Sequence, residues 1–203
     1  RTALQNMTVA NMNLLAMPLV LAFFLLVGLR SIVNVPLSAE ANWMFRLTEG
    51  ESRKHYFIGL KKAIFFFTLV PLFGALYVFY AVVWGAGPAL VHVLYGFSFA
   101  MILREILFWK YPRIPFSCIT VPGKARIQYF WLFYGLAFLL SVSVLSMIER
   151  SFFRDRWNFA YYYAISLALI LGFALYQRFF VYEKIQIRYE EEPESVMITL
   201  TKA

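Results

Sequence analysis

Residues 63–109 decide the fold of this chain, and they read AIFFFTLVPLFGALYVFYAVVWGAGPALVHVLYGFSFAMILREILFW. Two long apolar stretches, 63–84 and 88–109, lie on either side of the connection Gly85-Ala86-Gly87. Each stretch is as long as an α-helix must be to cross the hydrocarbon core of a bilayer, about 20 residues. The connection is short and uncharged, and Pro88 suits the first turn of a helix. The pattern therefore predicts two transmembrane helices in an antiparallel hairpin.

The composition of the whole chain supports a membrane protein. Hydrophobic residues make up 62% of it, charged residues make up only 15%, and its mean hydropathy is +0.67. A soluble domain is about half apolar and a quarter charged. Aromatic residues account for 20% of the chain, which suits a surface that meets lipid and headgroups. The single cysteine excludes a disulfide within this chain.

Three further apolar stretches, 14–35, 129–148 and 159–181, raise the predicted number of spans to five. Pro71 predicts a bend in the second span, either a hinge or a packing feature, which a membrane helix tolerates when neighbours satisfy the freed carbonyl. Residues 37–48 predict an amphipathic helix in the interface plane. We expect one all-α membrane domain over residues 1–203, a transmembrane helical bundle that belongs to a longer chain or a larger complex. Its cytoplasmic segments are predicted at 36–62, 110–128 and 182–203.

The charges predict the orientation of this bundle. Most of the 19 lysines and arginines follow spans one, three and five, and cytoplasmic loops are the ones that carry an excess of these residues. The N-terminus is therefore expected outside a bacterial inner membrane and the C-terminus in the cytoplasm. Topology and anionic headgroups explain the net charge of +8, so no nucleic-acid partner is expected.

Two basic segments, 37–62 and the proline-punctuated loop 110–126, are predicted to form one cytoplasmic face that docks a partner or contacts headgroups. Arg104 and Glu105 are expected to face water or headgroups without pairing, because adjacent residues on a helix point about 100° apart. Arg30 is expected to reach the headgroups at the end of span one. The proposed docking residues are Arg46, Arg53, Lys54, Lys61, Lys62, Arg104, Glu105, Lys110, Arg113, Lys124 and Arg126.

Few residues suggest chemistry. Asp, Glu, Lys and Arg are missing from the middle of every predicted span, which argues against a self-contained proton pump or ion-coupled symporter. His92 lies near the outer interface and is either a plain interfacial histidine or the single axial ligand of a haem or chlorin. No metal site, bound cofactor or catalytic residue is predicted, and Cys118 is expected to be an inert loop thiol.

Several segments carry a resemblance to a known group of proteins: FFLLVGLR (23–30), ANWMFRLTE (41–49), IPFSC (114–118), PGK (122–124) and EEEPE (190–194). Together they resemble the C-terminal half of an uncharacterised family of large bacterial inner-membrane proteins, some of which look like permeases of ABC-2-type exporters. The resemblance implies a permease-like, non-enzymatic component that works with an ATPase, which must be a separate chain because no Walker motif occurs here. The alternatives are an accessory subunit of a larger, pigment- or haem-containing energy-transducing complex and, third, an intramembrane enzyme.

Overall fold

The structure is a computed structural model that describes residues 12–33, 53–109, 127–153 and 156–181. This part of the chain folds into five long helices and contains no strand. Two helices include a π-helical turn: α2 is continuous over residues 53–84, and α5 is continuous over residues 156–181. The helices are α1 (Met12–Ile32), α2 (Arg53–Ile64, Phe65–Leu69 and Val70–Trp84), α3 (Ala86–Leu107), α4 (Ile127–Phe152) and α5 (Arg156–Tyr176 and Gln177–Val181).

The all-α prediction is confirmed. All five helices are long and apolar enough to cross a membrane, and they match the five predicted spans to within a few residues at most ends. The chain is therefore a multi-pass membrane protein. The predicted amphipathic helix (37–48), the proline-punctuated loop (110–126) and the C-terminal tail (182–203) lie outside the described residues.

Helix α3 lies at the centre of the bundle. It packs against α1, α2 and α5, while α4 packs against α1 and α5. Because successive helices run in opposite directions, each end of the bundle collects residues from all five helices. We call the end that contains His92 the His92 end, where the Tyr80 hydroxyl of α2 donates to the Leu14 carbonyl of α1. The opposite end, which contains Lys61, is the Lys61 end.

Small residues let α1, α2 and α3 approach closely. A Cβ atom placed on Gly96 of α3 would lie 2.9 Å from Cβ of Pro18 in α1 and 3.2 Å from a ring carbon of Phe73 in α2. Membrane helices commonly use small residues in this way, because backbone proximity increases van der Waals contact where lipid offers no hydrophobic driving force. Gly96 therefore sets the spacing at the centre of the bundle.

The hairpin predicted between α2 and α3 is present, and a single residue makes the turn. Gly85 has φ +86° and ψ 159°, a conformation that is essentially restricted to glycine. A π-helical turn, Phe65–Leu69, ends just before Pro71, and a bend at the proline stays a prediction. The Val70 amide donates to the Phe65 carbonyl, so Pro71 enters the first turn of a new α-helical part, where a missing N–H is tolerated.

The outward faces of α4 and α5 are strongly apolar. Phe133 and Leu139 on α4 are 65% and 61% exposed, and Tyr161 and Ile165 on α5 are 67% and 61% exposed. A soluble protein rarely shows contiguous apolar surface of this extent. Hydrocarbon solvates such a face at no cost, which is why the fold belongs in a bilayer.

Candidate functional site

A histidine and a glutamate meet inside the His92 end. His92 lies in the second turn of α3, and Glu149 lies one turn before the end of α4. Nδ1 of His92 is 2.5 Å from Oε1 of Glu149, and their side chains are 1% and 0% exposed. A buried pair of ionisable groups is expensive to desolvate. In membrane helices such residues are uncommon and mark functional sites by default.

Aromatic rings enclose the pair. The Tyr80 and Trp84 rings of α2 stack on each other and meet the His92 ring edge-on, with centroids 4.5 and 5.2 Å away. At the same end, Tyr95 of α3 stacks on Tyr162 of α5. These rings exclude water from the imidazole and so strengthen its interaction with the carboxylate.

The hydroxyl groups of this enclosure are used for interhelical contacts. Tyr80 donates to the Leu14 carbonyl at 2.7 Å, Tyr95 donates to the Leu145 carbonyl at 2.9 Å, and Tyr163 donates to the Val91 carbonyl at 2.7 Å. Each bond joins two different helices. The three bonds therefore link α2 to α1, α3 to α4 and α5 to α3 around the pair, and none of these hydroxyls donates to Glu149.

Three polar atoms at this end have no hydrogen-bond partner among the described residues. They are Nε2 of His92, Oε2 of Glu149 and Oγ of Ser146, which lies one helical turn before Glu149. Buried polar atoms nearly always have a partner, and an exception in a folded protein calls for an explanation. Nδ1 of His92 and Oε1 of Glu149 are therefore hydrogen-bonded to each other, whereas Nε2 and Oε2 of the same side chains have no described partner.

A cavity of about 330 Å³ lies at the same end of the bundle. Val91, which precedes His92, and Phe152, one turn after Glu149, both line it. Its other walls come from the first turn of α3, the end of α4 and the beginning of α5, with Gly87, Pro88, Phe153, Phe159 and Tyr163.

A second polar cluster lies at the Lys61 end, and we call Lys61, Arg104, Glu105 and Gln177 the Lys61 network. Nζ of Lys61 is 2.5 Å from Oε2 of Glu105 and also donates to Oε1 of Gln177. The Arg104 guanidinium holds the other carboxylate oxygen, with Nη2 and Nε at 2.6 and 3.1 Å from Oε1. The side chains of Lys61, Arg104 and Glu105 are only 12%, 10% and 2% exposed. The network joins α2, α3 and α5.

The structure corrects two expectations about this end. Arg104 and Glu105 do pair, because the long arginine side chain bends back to the neighbouring carboxylate, which the 100° angle between adjacent residues does not prevent. Both groups, and Lys61, lie inside the bundle and not at its surface. Arg30 is half-buried at the same end, and its Nη1 donates to the Leu107 carbonyl at 2.5 Å.

Of the proposed docking residues, Lys62 alone has a described side chain that is exposed. Arg53 and Lys54 lie in the first turn of α2. The remaining ones, Arg46, Lys110, Arg113, Lys124 and Arg126, lie outside the described residues. Docking at this face stays a prediction.

His92 is neither exposed at an interface nor accessible to a porphyrin in this arrangement. Its Nε2, the atom that would bind iron, is fully buried. Axial ligation of a haem or chlorin would require the surrounding side chains to part. Among the described residues there is no group of three or more His, Cys, Asp and Glu side chains that would hold a metal ion.

Sequence reasoning missed the His92–Glu149 pair because it placed Glu149 in a polar connection after the fourth span. The structure continues α4 to Phe152. A signal was present: Ser146, Glu149 and Phe153 recur at spacings of three and four, so they share one helix face that stays continuous with the span. The pair also removes the reason for ranking an intramembrane enzyme last, which was the lack of any carboxylate–histidine arrangement.

No protein-family model, curated protein or solved structure matches this chain.

Proposed function

We propose that this chain is a permease-like component of a bacterial transport system and works with an ATPase on a separate chain. In this proposal the chain itself is not an enzyme. It lies in the inner membrane, with the N-terminus outside and the Lys61 end and C-terminus on the cytoplasmic side. Most lysines and arginines follow the helices that end on that side, which is the distribution expected of cytoplasmic loops.

The observation that carries the proposal is the Lys61 network. It joins three helices at the end of the bundle from which both predicted docking segments leave. Buried ion pairs keep a definite geometry, because a small displacement would leave a charge uncompensated in a medium of low dielectric. A displacement of the first turns of α2 would therefore be passed to α3 and α5 through Lys61 and Glu105.

The same network suits a component that moves. Packed interfaces switch between discrete arrangements and do not deform continuously, so a small displacement at a docking face is amplified into helix movement. Lys61 lies two turns into α2, and Gln177 lies in the π-helical turn of α5, so both neighbours of α3 are held at one point. We infer that the network transmits the state of the ATPase to the transmembrane helices.

Gentle purification from the native membrane tests this function. The expected result is that an ATPase co-purifies, and that the Glu105→Gln variant still binds it but loses transport-coupled ATP hydrolysis. The matched control is Lys62→Met, a change of the exposed neighbour of Lys61. Stable partners that carry haem or pigment, recovered without an ATPase, would contradict the proposal and favour an accessory subunit.

A further inference from the structure

The His92–Glu149 contact requires one hydrogen between Nδ1 and Oε1. At 2.5 Å, Nδ1 and Oε1 must share a hydrogen, since two bare lone pairs would repel each other at that distance. A neutral imidazole that donates this hydrogen to a carboxylate leaves the pair with a charge of −1. One additional proton, on Nε2 or on Oε2, makes the pair neutral.

Burial favours the neutral form of the pair. Both side chains are essentially inaccessible, and an uncompensated charge is costly in such a place. Among the side chains that the structure describes, no lysine or arginine forms an ion pair with Glu149. The titratable groups that face the pair from α2, α3 and α5 are four tyrosines, and the hydroxyls of Tyr80, Tyr95, Tyr162 and Tyr163 all donate to backbone carbonyls.

The two atoms able to accept the additional proton are the ones without partners, Nε2 of His92 and Oε2 of Glu149. We propose that the His92–Glu149 pair is a proton-binding site that takes up one proton when the His92 end closes and releases it when that end opens. The proton is the only ligand, and no bond other than N–H or O–H forms or breaks. This site goes beyond the proposed work with an ATPase and does not depend on it.

The cavity at the His92 end offers a route by which water could reach the pair. Val91 and Phe152 line it and are close neighbours of His92 and Glu149 along α3 and α4, so separating these helix ends would let water from the cavity reach Nε2 and Oε2. Once hydrated, a charge of −1 is tolerated and the proton is free to leave. By linkage, raising the pH then favours the open arrangement, and lowering it favours the closed one.

The site lies near one end of the bundle. Glu105 of the Lys61 network is thirteen residues further along α3, roughly 20 Å away at 1.5 Å per residue. The absence of ionisable residues from the middle of the predicted spans therefore still argues against continuous proton conduction through this chain. The pair is a site that senses or couples protons on one side of the membrane.

The histidine content of the chain makes the test direct. His55 and His92 are the only two histidines, and His55 is exposed, so the His55→Gln variant reports on His92 alone. Nitrogen NMR of imidazole-labelled full chain in lipid vesicles reads Nδ1 and Nε2, and infrared spectroscopy of the same samples reads protonated carboxyl groups. The titration runs from about pH 4 to 9, which brackets the ordinary ranges of Glu and His.

We expect the pair to lose one proton within this range. That transition is expected to disappear in Glu149→Gln and to persist in Glu105→Gln, which alters the carboxylate at the other end. If neither group changes its protonation between these limits in the His55→Gln protein, the proposal is overturned, whether or not the Glu149 variant folds.

Accessibility of the cavity tests the coupling to opening. In a Cys118→Ser background, Val91→Cys places a thiol on the cavity wall beside His92. The rate at which a water-soluble reagent labels this thiol should increase with pH. The increase should be roughly 5- to 150-fold greater than in the same protein carrying Glu149→Gln, the range of an ordinary allosteric coupling. Equal acceleration in both proteins would show that proton release does not open this end.

Discussion

Glu105 is the residue on which the Lys61 end depends. Its two carboxylate oxygens are divided between Lys61 and Arg104, and its backbone carbonyl accepts a hydrogen bond from Gln177 at 3.3 Å. One side chain thereby compensates two buried cations. Lys61 and Lys62 stand next to each other in the sequence, yet only Lys61 takes part in this arrangement, because α2 turns Lys62 outward.

We predict that Glu105→Gln lowers the free energy of unfolding by about 3 kcal/mol or more, because it leaves two buried cations without their counter-charge. Lys62→Met should change it by less than about 0.5 kcal/mol, as surface substitutions usually do. Chemical unfolding in detergent micelles measures both values. Similar values for the two variants would mean that Glu105 is hydrated and not buried.

Gly96 provides a second test at the residue scale. Gly96→Ala pushes a methyl group against Pro18 and Phe73, and such overpacking typically costs about 1–3 kcal/mol. The matched control is Gly74→Ala, since a Cβ there meets nothing within 4 Å and alanine favours the helix by up to about 1 kcal/mol. Gly96→Ala should therefore lower the free energy of unfolding and Gly74→Ala should raise it, and a change of the same sign in both variants would contradict the close approach at Gly96.

At the scale of helices, the turn between α2 and α3 places His92 against Tyr80 and Trp84. Gly85 alone makes this turn, with a positive φ that a side chain would strain. Once the hairpin closes, the two rings of α2 and the imidazole of α3 lie at the same height. The turn is thus part of the site, although Gly85 touches none of its polar atoms.

Gly85→Ala should destabilise the protein by about 1–3 kcal/mol, the usual cost of holding a side chain in that region of backbone space. Gly87→Ala, two residues away and without a close neighbour, should be nearly neutral. Thermal unfolding in detergent distinguishes the variants. A neutral Gly85→Ala would show that the turn has other conformations available.

The tyrosine contacts between helices give a matched pair of variants. Tyr95→Phe removes the hydrogen bond from α3 to the Leu145 carbonyl of α4 and should lower stability by about 1 kcal/mol. Tyr161→Phe removes a hydroxyl from a side chain that is 67% exposed and should have little effect. Equal losses for the two variants would contradict the assigned role of Tyr95 in joining α3 to α4.

At the scale of the whole molecule, the sequence was sufficient for the spans and insufficient for the sites. The five helices and the hairpin follow from local patterns, namely long apolar runs with Gly85 and Pro88 between two of them. The polar pairs do not, because His92 and Glu149 are 57 residues apart and Lys61 and Glu105 are 44 apart. A polar residue near a helix end satisfies an interfacial pattern equally well whether it faces headgroups or another helix.

The two polar clusters make the two ends of the bundle chemically different. The Lys61 network ties α2, α3 and α5 at one end, and the His92–Glu149 pair joins α3 to α4 at the other. Helix α4 separates the proline-punctuated loop from the connection that follows Phe153. The central claim is therefore that this helix crosses the membrane and places those two segments, and with them the two ends of the bundle, on opposite sides.

Thiol labelling in sealed inner-membrane vesicles tests this claim directly. Cys118 is the only native cysteine and precedes α4, whereas Asp155→Cys in a Cys118→Ser background places a thiol after α4. In vesicles of known orientation, a membrane-impermeant reagent should label Cys118 from the cytoplasmic side only and the cysteine at position 155 from the opposite side only. Labelling of both positions from the same side would contradict the five-span bundle.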